Sequence, residues 1–161
     1  MLDWLTTSLT FLLALGSGLI AGVFFAFSSF VMGALGRLPA AQGIAAMQSI
    51  NVVVINPIFL GVFMGTALLA LLVAGYALSH LSMPGMGYVA LGSVLYVIGS
   101  FAVTVFGNVP LNEALVPLQP DSADAALFWP RYLKDWVMWN HVRTVASLAA
   151  SGAFIWAMRT L

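Results

Sequence analysis

Residues 4–36, WLTTSLTFLLALGSGLIAGVFFAFSSFVMGALG, run without one Asp, Glu, Lys, Arg or His. About 20 apolar residues are enough to cross the hydrocarbon of a bilayer as a helix, and this stretch exceeds that. The rest of the chain has the same character. Apolar residues make up 62% of it and charged residues 6%, against roughly 45–50% and 25% in globular proteins. Ten charged side chains cannot build a water-facing surface, so the bilayer is the expected partner. Five basic residues balance five acidic ones, which leaves no field to attract nucleic acid. With no cysteine, disulfides, thiolate metal sites, iron–sulfur clusters and cysteine nucleophiles are excluded together. The start, Met1-Leu2-Asp3-Trp4, has no Lys or Arg before the apolar run. A secretory signal wants such a positive region and a shorter apolar core, so the first segment is expected to stay as a membrane helix.

After Arg37 the next charged residue is Glu113, with only His80 between them. A stretch of that length must fold back on itself. Pro39 and the turn Ser79-His80-Leu81-Ser82-Met83-Pro84-Gly85 mark the breaks. The expected fold is all-α, a four-transmembrane-helix bundle forming one domain. Its spans are expected at Leu5–Leu35, Val52–Leu78, Gly87–Phe106 and Trp136–Met158, with both termini on one side. Pro39 suits the first position of a helix, and Ile44, Met47 and Val54 share a face. A short interfacial helix before helix two follows. Residues 108–135 hold six of the ten charges and three prolines ahead of Pro130. They read as a polar, water-facing loop between helices three and four, with a short helix near Ser122–Phe128. Ala14, Gly18, Gly22 and Ala26 in helix one, and Gly61 with Gly65 in helix two, form small-residue ridges suited to close helix approach. The same ridges leave room for a homo-oligomer.

Alternating spans bring the end of helix one, the start of two, the end of three and the start of four to one membrane face. Most of the polar residues fall there: Asn51, Asn56, Asn108, Asn112, Glu113, Asn140, His141, Arg143 and Thr144. The opposite face has Asp3, Ser79, His80, Ser82 and Arg159. Asn140, Arg143 and Thr144 are spaced i, i+3, i+4 and share a face of helix four, whereas His141 points about 100° away from Asn140. An ionisable group below the headgroups is a candidate functional residue. Glu113, Asp135 and carbonyls freed near Pro110 are the candidate partners of Arg143, which could instead snorkel to the interface. Asn56 could equally satisfy groups freed by Pro57, Trp129, Trp136 and Trp139 fit an interfacial belt, and His80 fits a solvated turn. One His, one carboxylate and amides make a poor ligand set for zinc or copper, so no metal site is expected.

Several stretches resemble a known family. Gly22-Val-Phe-Phe-Ala-Phe-Ser28, Ala46-Met-Gln-Ser-Ile-Asn51 with Asn56-Pro57, Asn108-Val-Pro-Leu-Asn112 and Trp139-Asn-His-Val-Arg-Thr144 occur in that order. Together they are similar to the anthrone oxygenase-like family of small four-helix membrane proteins. Its fungal members oxidise anthrones to anthraquinones with dioxygen and no cofactor. The resemblance implies an oxidoreductase acting on a small hydrophobic, enolisable aromatic ligand, again without a cofactor. His141 would be the base, and Arg143 with Asn140 or Asn112 would hold the enolate oxygen. Asn51, Asn56, Asn108, Asn112 and Trp136 would bind substrate, and Phe24, Phe25 and Phe27 would line a flat apolar pocket beside Trp136. Two other classes remain open: a non-catalytic binder or carrier of a hydrophobic molecule, and a structural membrane subunit whose polar residues only tie helix ends together. Arg37, Arg131 and Lys134 against Arg159 place loops one and three in the cytoplasm by the positive-inside rule, with the plasma (inner) membrane as the expected location.

Overall fold

The computed structural model describes residues 2–160, with side chains from Trp4 to Thr160, so the terminal Asp3 lies outside the described side chains. The fold is all-α: every regular element among the described residues is helical. α1 covers residues 2–36, α2 Ala40–Val53, α3 Pro57–Ser79, α4 Met86–Leu115 and α5 Ala123–Ala157. Three stretches are long and apolar enough to cross a membrane: Trp4–Gly36, Pro57–Ser79 and Met86–Leu115. α5 is longer than these, but it carries Asp124, Arg131, Lys134, Asp135 and Arg143. Outward faces are oily. Leu12, Leu15 and Leu19 of α1 and Leu68, Leu71 and Leu72 of α3 are exposed, as a hydrocarbon environment would favour.

Local chemistry sets the helix ends. The Asn56 Oδ1 accepts from the backbone N–H groups of Ile58 and Phe59 at 3.1 and 3.0 Å, with Pro57 in the first helical position. That is an N-cap, so α3 begins at Pro57 rather than at Val52, and Val52 and Val53 finish α2. Gly85, at φ 80°, supplies the left-handed residue before α4, which a side chain would disfavour. The Ser122 Oγ accepts from the Ala125 N–H at 3.2 Å and caps α5, with Asp124 favourably placed in the first turn.

Two more expected boundaries move. α4 does not stop near Phe106 but continues through Pro110 to Leu115. Its residues Leu95–Ala102 and Thr104–Asn108 are π-helical, and Pro110, which has no N–H to donate, falls where the π-helical stretch passes into the α-helical turn that follows. Residues 108–135 are likewise mostly helix, and the polar loop shrinks to 116–122. Trp129, Tyr132 and Trp136 share one face of α5 and bury it against Ile44 and Met47 of α2, Leu35 of α1 and Leu115 of α4. That apolar burial outweighs the polar composition of the segment.

α1 packs chiefly along α5. There the Ser151 Oγ donates to the Ala14 carbonyl at 2.9 Å, next to Gly18. The small-residue ridges pack only in part, because Gly22, Gly61 and Gly65 meet no atom that a Cβ would touch. Gly99 of α4 faces Ala146 of α5 so closely that an added Cβ would sit 2.5 Å from the Ala146 Cβ. Gly99→Ala is therefore expected to destabilise the fold by about 1–3 kcal/mol, despite its better helix propensity. Gly61→Ala, which points into open space, should be neutral or slightly stabilising. Thermal unfolding of both variants in detergent checks the pair, and equal melting temperatures would contradict this packing.

Candidate functional site

A cavity of about 510 Å³ lies at the end of the bundle where α2 packs. Phe24 and Phe27 of α1, Phe59 and Phe63 of α3, Phe101 of α4 and Trp136 of α5 line it. The rings support one another: Phe63 and Phe101 lie 5.5 Å apart between centroids, and Phe27 and Trp136 lie 5.6 Å apart. α3 packs on α4 chiefly along residues 86–102. Beyond that the cavity wall contains Ile55, Met64, Val105 and Val116, all exposed on the outer surface.

Five polar side chains line this aromatic enclosure: Asn51, Thr104, Asn112, Glu113 and Arg143. Arg143 is 4% exposed. Its Nη2 donates to the Asn140 Oδ1 at 2.5 Å and its Nη1 to the Thr104 Oγ1 at 3.2 Å. The guanidinium carbon lies 4.1 Å from the Phe24 ring centroid and 5.1 Å from that of Trp136. Nε is buried without a partner, and among the described residues no carboxylate pairs with Arg143. Arg131 with Asp135 is the ion pair among the described residues. Burying a cation costs several kcal/mol, while contact with an aromatic face returns about 0.5–2 kcal/mol. The neutral surroundings therefore leave the charge undercompensated.

Asn140 fixes that geometry. Its Nδ2 donates to the Phe24 carbonyl and to the Ser28 Oγ, both at 2.7 Å, so its oxygen must face Arg143. Asn112 is fixed by two donors. Its Oδ1 accepts from the Tyr132 hydroxyl at 2.9 Å and the Trp136 Nε1 at 2.8 Å, which leaves its NH2 group as the part still available. Burial holds the Tyr132 phenol above its ordinary pKa, an effect that the nearby Asn51 side chain and the Arg143 charge oppose. The phenol thus stays protonated and acts as a donor, not as a base. The Asn51 Nδ2 is buried without a hydrogen bond of good geometry.

The expected site residues divide accordingly. Arg143, Asn51, Asn112 and Trp136 line the cavity, and Asn140 stands behind Arg143. Asn108 is buried outside the lining and donates to the Trp136 carbonyl at 3.0 Å, so it ties α4 to α5 rather than meeting a ligand. Asn56 is a helix cap. His141 is exposed and does not line the cavity. Two residues separate Arg143 from it by about 200° around α5, so the face that buries Arg143 turns His141 outward. Phe25 is 56% exposed and also points away.

Thr104, Tyr132 and the cage of Phe59, Phe63 and Phe101 went unnoticed in the sequence. Only the i, i+4 spacing of Phe59 and Phe63 signalled a shared face. Gln48 is a further surprise: its Nε2 donates to the Leu115 and Leu118 carbonyls at 2.9 Å each, clamping the end of α4 to α2. Among the described residues no three His, Asp or Glu side chains gather as metal ligands would.

No curated protein and no solved structure matches the chain. The family model for anthrone oxygenase matches residues 57–153. That stretch contains Phe63, Phe101, Thr104, Asn112, Trp136 and Arg143, all of which line the cavity. It is more than half of the sequence, and it carries both the charged group and most of its aromatic enclosure, so the chain belongs to the anthrone oxygenase family.

Proposed function

We propose that this protein is a membrane-embedded oxidoreductase that oxidises a lipophilic, enolisable aromatic substrate of the anthrone type with dioxygen, without a cofactor. The observation that carries the reading is Arg143, a buried cation with no counter-ion, held against an aromatic cavity large enough for a small polycyclic molecule. A buried charge kept at such cost is a functional group by default. An oxygen that becomes anionic during reaction supplies the missing partner, and fixed donors facing developing charge are a major source of rate acceleration.

The reaction is balanced by one dioxygen. A ring methylene loses a proton, and its electron pair spreads onto the carbonyl oxygen beside Arg143. Dioxygen adds at the carbon, and the peroxide loses water to leave a second carbonyl. Phe24, Phe63, Phe101 and Trp136 would hold the flat rings, with the Asn112 NH2 group offering N–H donors along the edge and Asn51 beside it.

In the same proposal the chain crosses the bilayer four times, with residues 136–157 of α5 as the fourth span alongside α1. Its membrane is the plasma (inner) membrane. Gly36 packs near Leu133, which brings Arg37 to the end that carries Arg131 and Lys134. By the positive-inside rule that end is cytoplasmic. Substrate would reach the cavity from the lipid side, through the wall of Ile55, Met64, Val105 and Val116.

Purified protein treated with a chelator and given anthrone should consume dioxygen faster than the substrate oxidises unaided. Arg143→Gln should lower that rate by about 10²–10³, and Arg143→Lys should lie between, because an ammonium cannot span Asn140 and Thr104. Loss of uptake on chelation would mean a metal takes part, and binding without uptake would favour a carrier. Thr104→Val keeps the side-chain shape but removes the acceptor for Nη1. It should lower turnover by about 5–150-fold, the equivalent of about 1–3 kcal/mol, while leaving the helical circular dichroism spectrum intact.

A further inference from the structure

Carbanion chemistry needs a base, and the cavity contains one group able to serve. Of the residues that line it, only Arg143 and Glu113 carry ionisable side chains. Elsewhere among the described residues, Asp135 is paired with Arg131, Asp121 and Asp124 are outside the lining, and His80 stacks on Tyr76 beyond the far end of α3. His141 faces outward. Glu113 is exposed at the mouth of the cavity, and no hydrogen bond or ion pair ties it down.

Its position relative to Arg143 is the telling feature. Both line one cavity, yet no ion pair joins them. Arg143 is bonded to Thr104, and Glu113 follows Thr104 nine residues later on the same helix, about 14 Å further along its axis at most. Cation and carboxylate thus face one apolar enclosure without neutralising each other. A carboxylate and a separate cation on one cavity are what deprotonation at carbon with charge build-up on a distant oxygen requires.

We propose that Glu113, not His141, is the general base that removes the ring C–H proton, acting across the cavity from the Arg143 cation. The assignment rests on the oxygenase reading above. The Glu113 carboxylate takes the proton as the C–H bond breaks, and the electron pair becomes the enolate held at Arg143. Dioxygen adds to the carbon in one-electron steps, and the acid returns its proton to the peroxide. Glu113 then takes the second C–H proton as the O–O bond breaks and the new carbonyl forms. The departing hydroxide collects that proton as water, which restores the carboxylate. Exposure at the mouth lets Glu113 exchange protons with solvent between turnovers.

The proton step can be isolated from the oxygen step. Under anaerobic conditions in D2O, full-length protein in lipid nanodiscs should speed deuterium incorporation at the anthrone methylene, read by NMR. Glu113→Gln should slow this exchange by about 100-fold or more while anthrone still quenches tryptophan fluorescence with affinity within a few-fold of wild type. Glu113→Asp should recover part of the rate. Exchange within a few-fold of wild type in Glu113→Gln, or exchange lost in His141→Ala alone, would overturn the assignment. If wild type takes up dioxygen with anthrone while Glu113→Gln exchanges normally, the oxygenase reading survives and only the base is wrong. If wild type neither exchanges nor consumes dioxygen, both fall together.

Discussion

The bond between Asn140 and Arg143 organises this molecule at its polar end. Asn140 reaches across to the Phe24 carbonyl and Ser28 of α1, and turns its oxygen to the guanidinium. Arg143 then reaches Thr104 of α4 and lies against the rings of Phe24 and Trp136. Three helices are thereby fixed around one cation. Each neighbour is neutral, so the arrangement orients the charge without neutralising it. A structural salt bridge would do the opposite: it would remove the field from the cavity. Among the described residues no carboxylate stands at this point.

Room for the cavity comes from how the helices are wound. α4 keeps its main contact with α3 over residues 86–102. π-helical turns occupy Leu95–Ala102 and Thr104–Asn108 of α4, and Phe27–Val31 of α1. Wide turns of this kind are uncommon and frequently accompany functional sites. Here they bear Phe101, Thr104 and Phe27, all of which line the cavity. α2 closes the end: Met47 and Ile44 bury against Trp129 and Trp136, and Gln48 clamps the Leu115 and Leu118 carbonyls.

Much of this was legible in the sequence. The uncharged run of residues 4–36, the turn at 79–85 and the helix after Pro39 follow from composition and punctuation. The shared face of Asn140, Arg143 and Thr144 follows from helical spacing, whereas His141, which the resemblance made the base, lies exposed outside the cavity lining. The misreadings have a common cause, which is that a residue's type does not reveal its partner. Asn56 fitted either a site role or the groups freed by Pro57, and its bonds to the Ile58 and Phe59 N–H groups make it a cap. Residues 108–135 looked like a loop because their charges and prolines are local features, whereas the burial of Trp129, Tyr132 and Trp136 is tertiary. The aromatic cage draws on four helices, and no window along a single chain contains it.

The polarity of the cavity also constrains what can occupy it. Its lining includes Arg143, Asn51 and Asn112, and one carboxylate at the mouth. A neutral hydrocarbon would fill the aromatic enclosure but leave the Arg143 cation without a counter-charge. A permanently ionic ligand would supply one but would have to leave water to reach a site whose outer wall is Ile55, Met64, Val105 and Val116. A molecule that arrives neutral and becomes anionic only inside avoids both penalties. That is the behaviour of an enolisable ketone, and it is also the condition under which an unpaired arginine stabilises a transition state more than it stabilises the substrate.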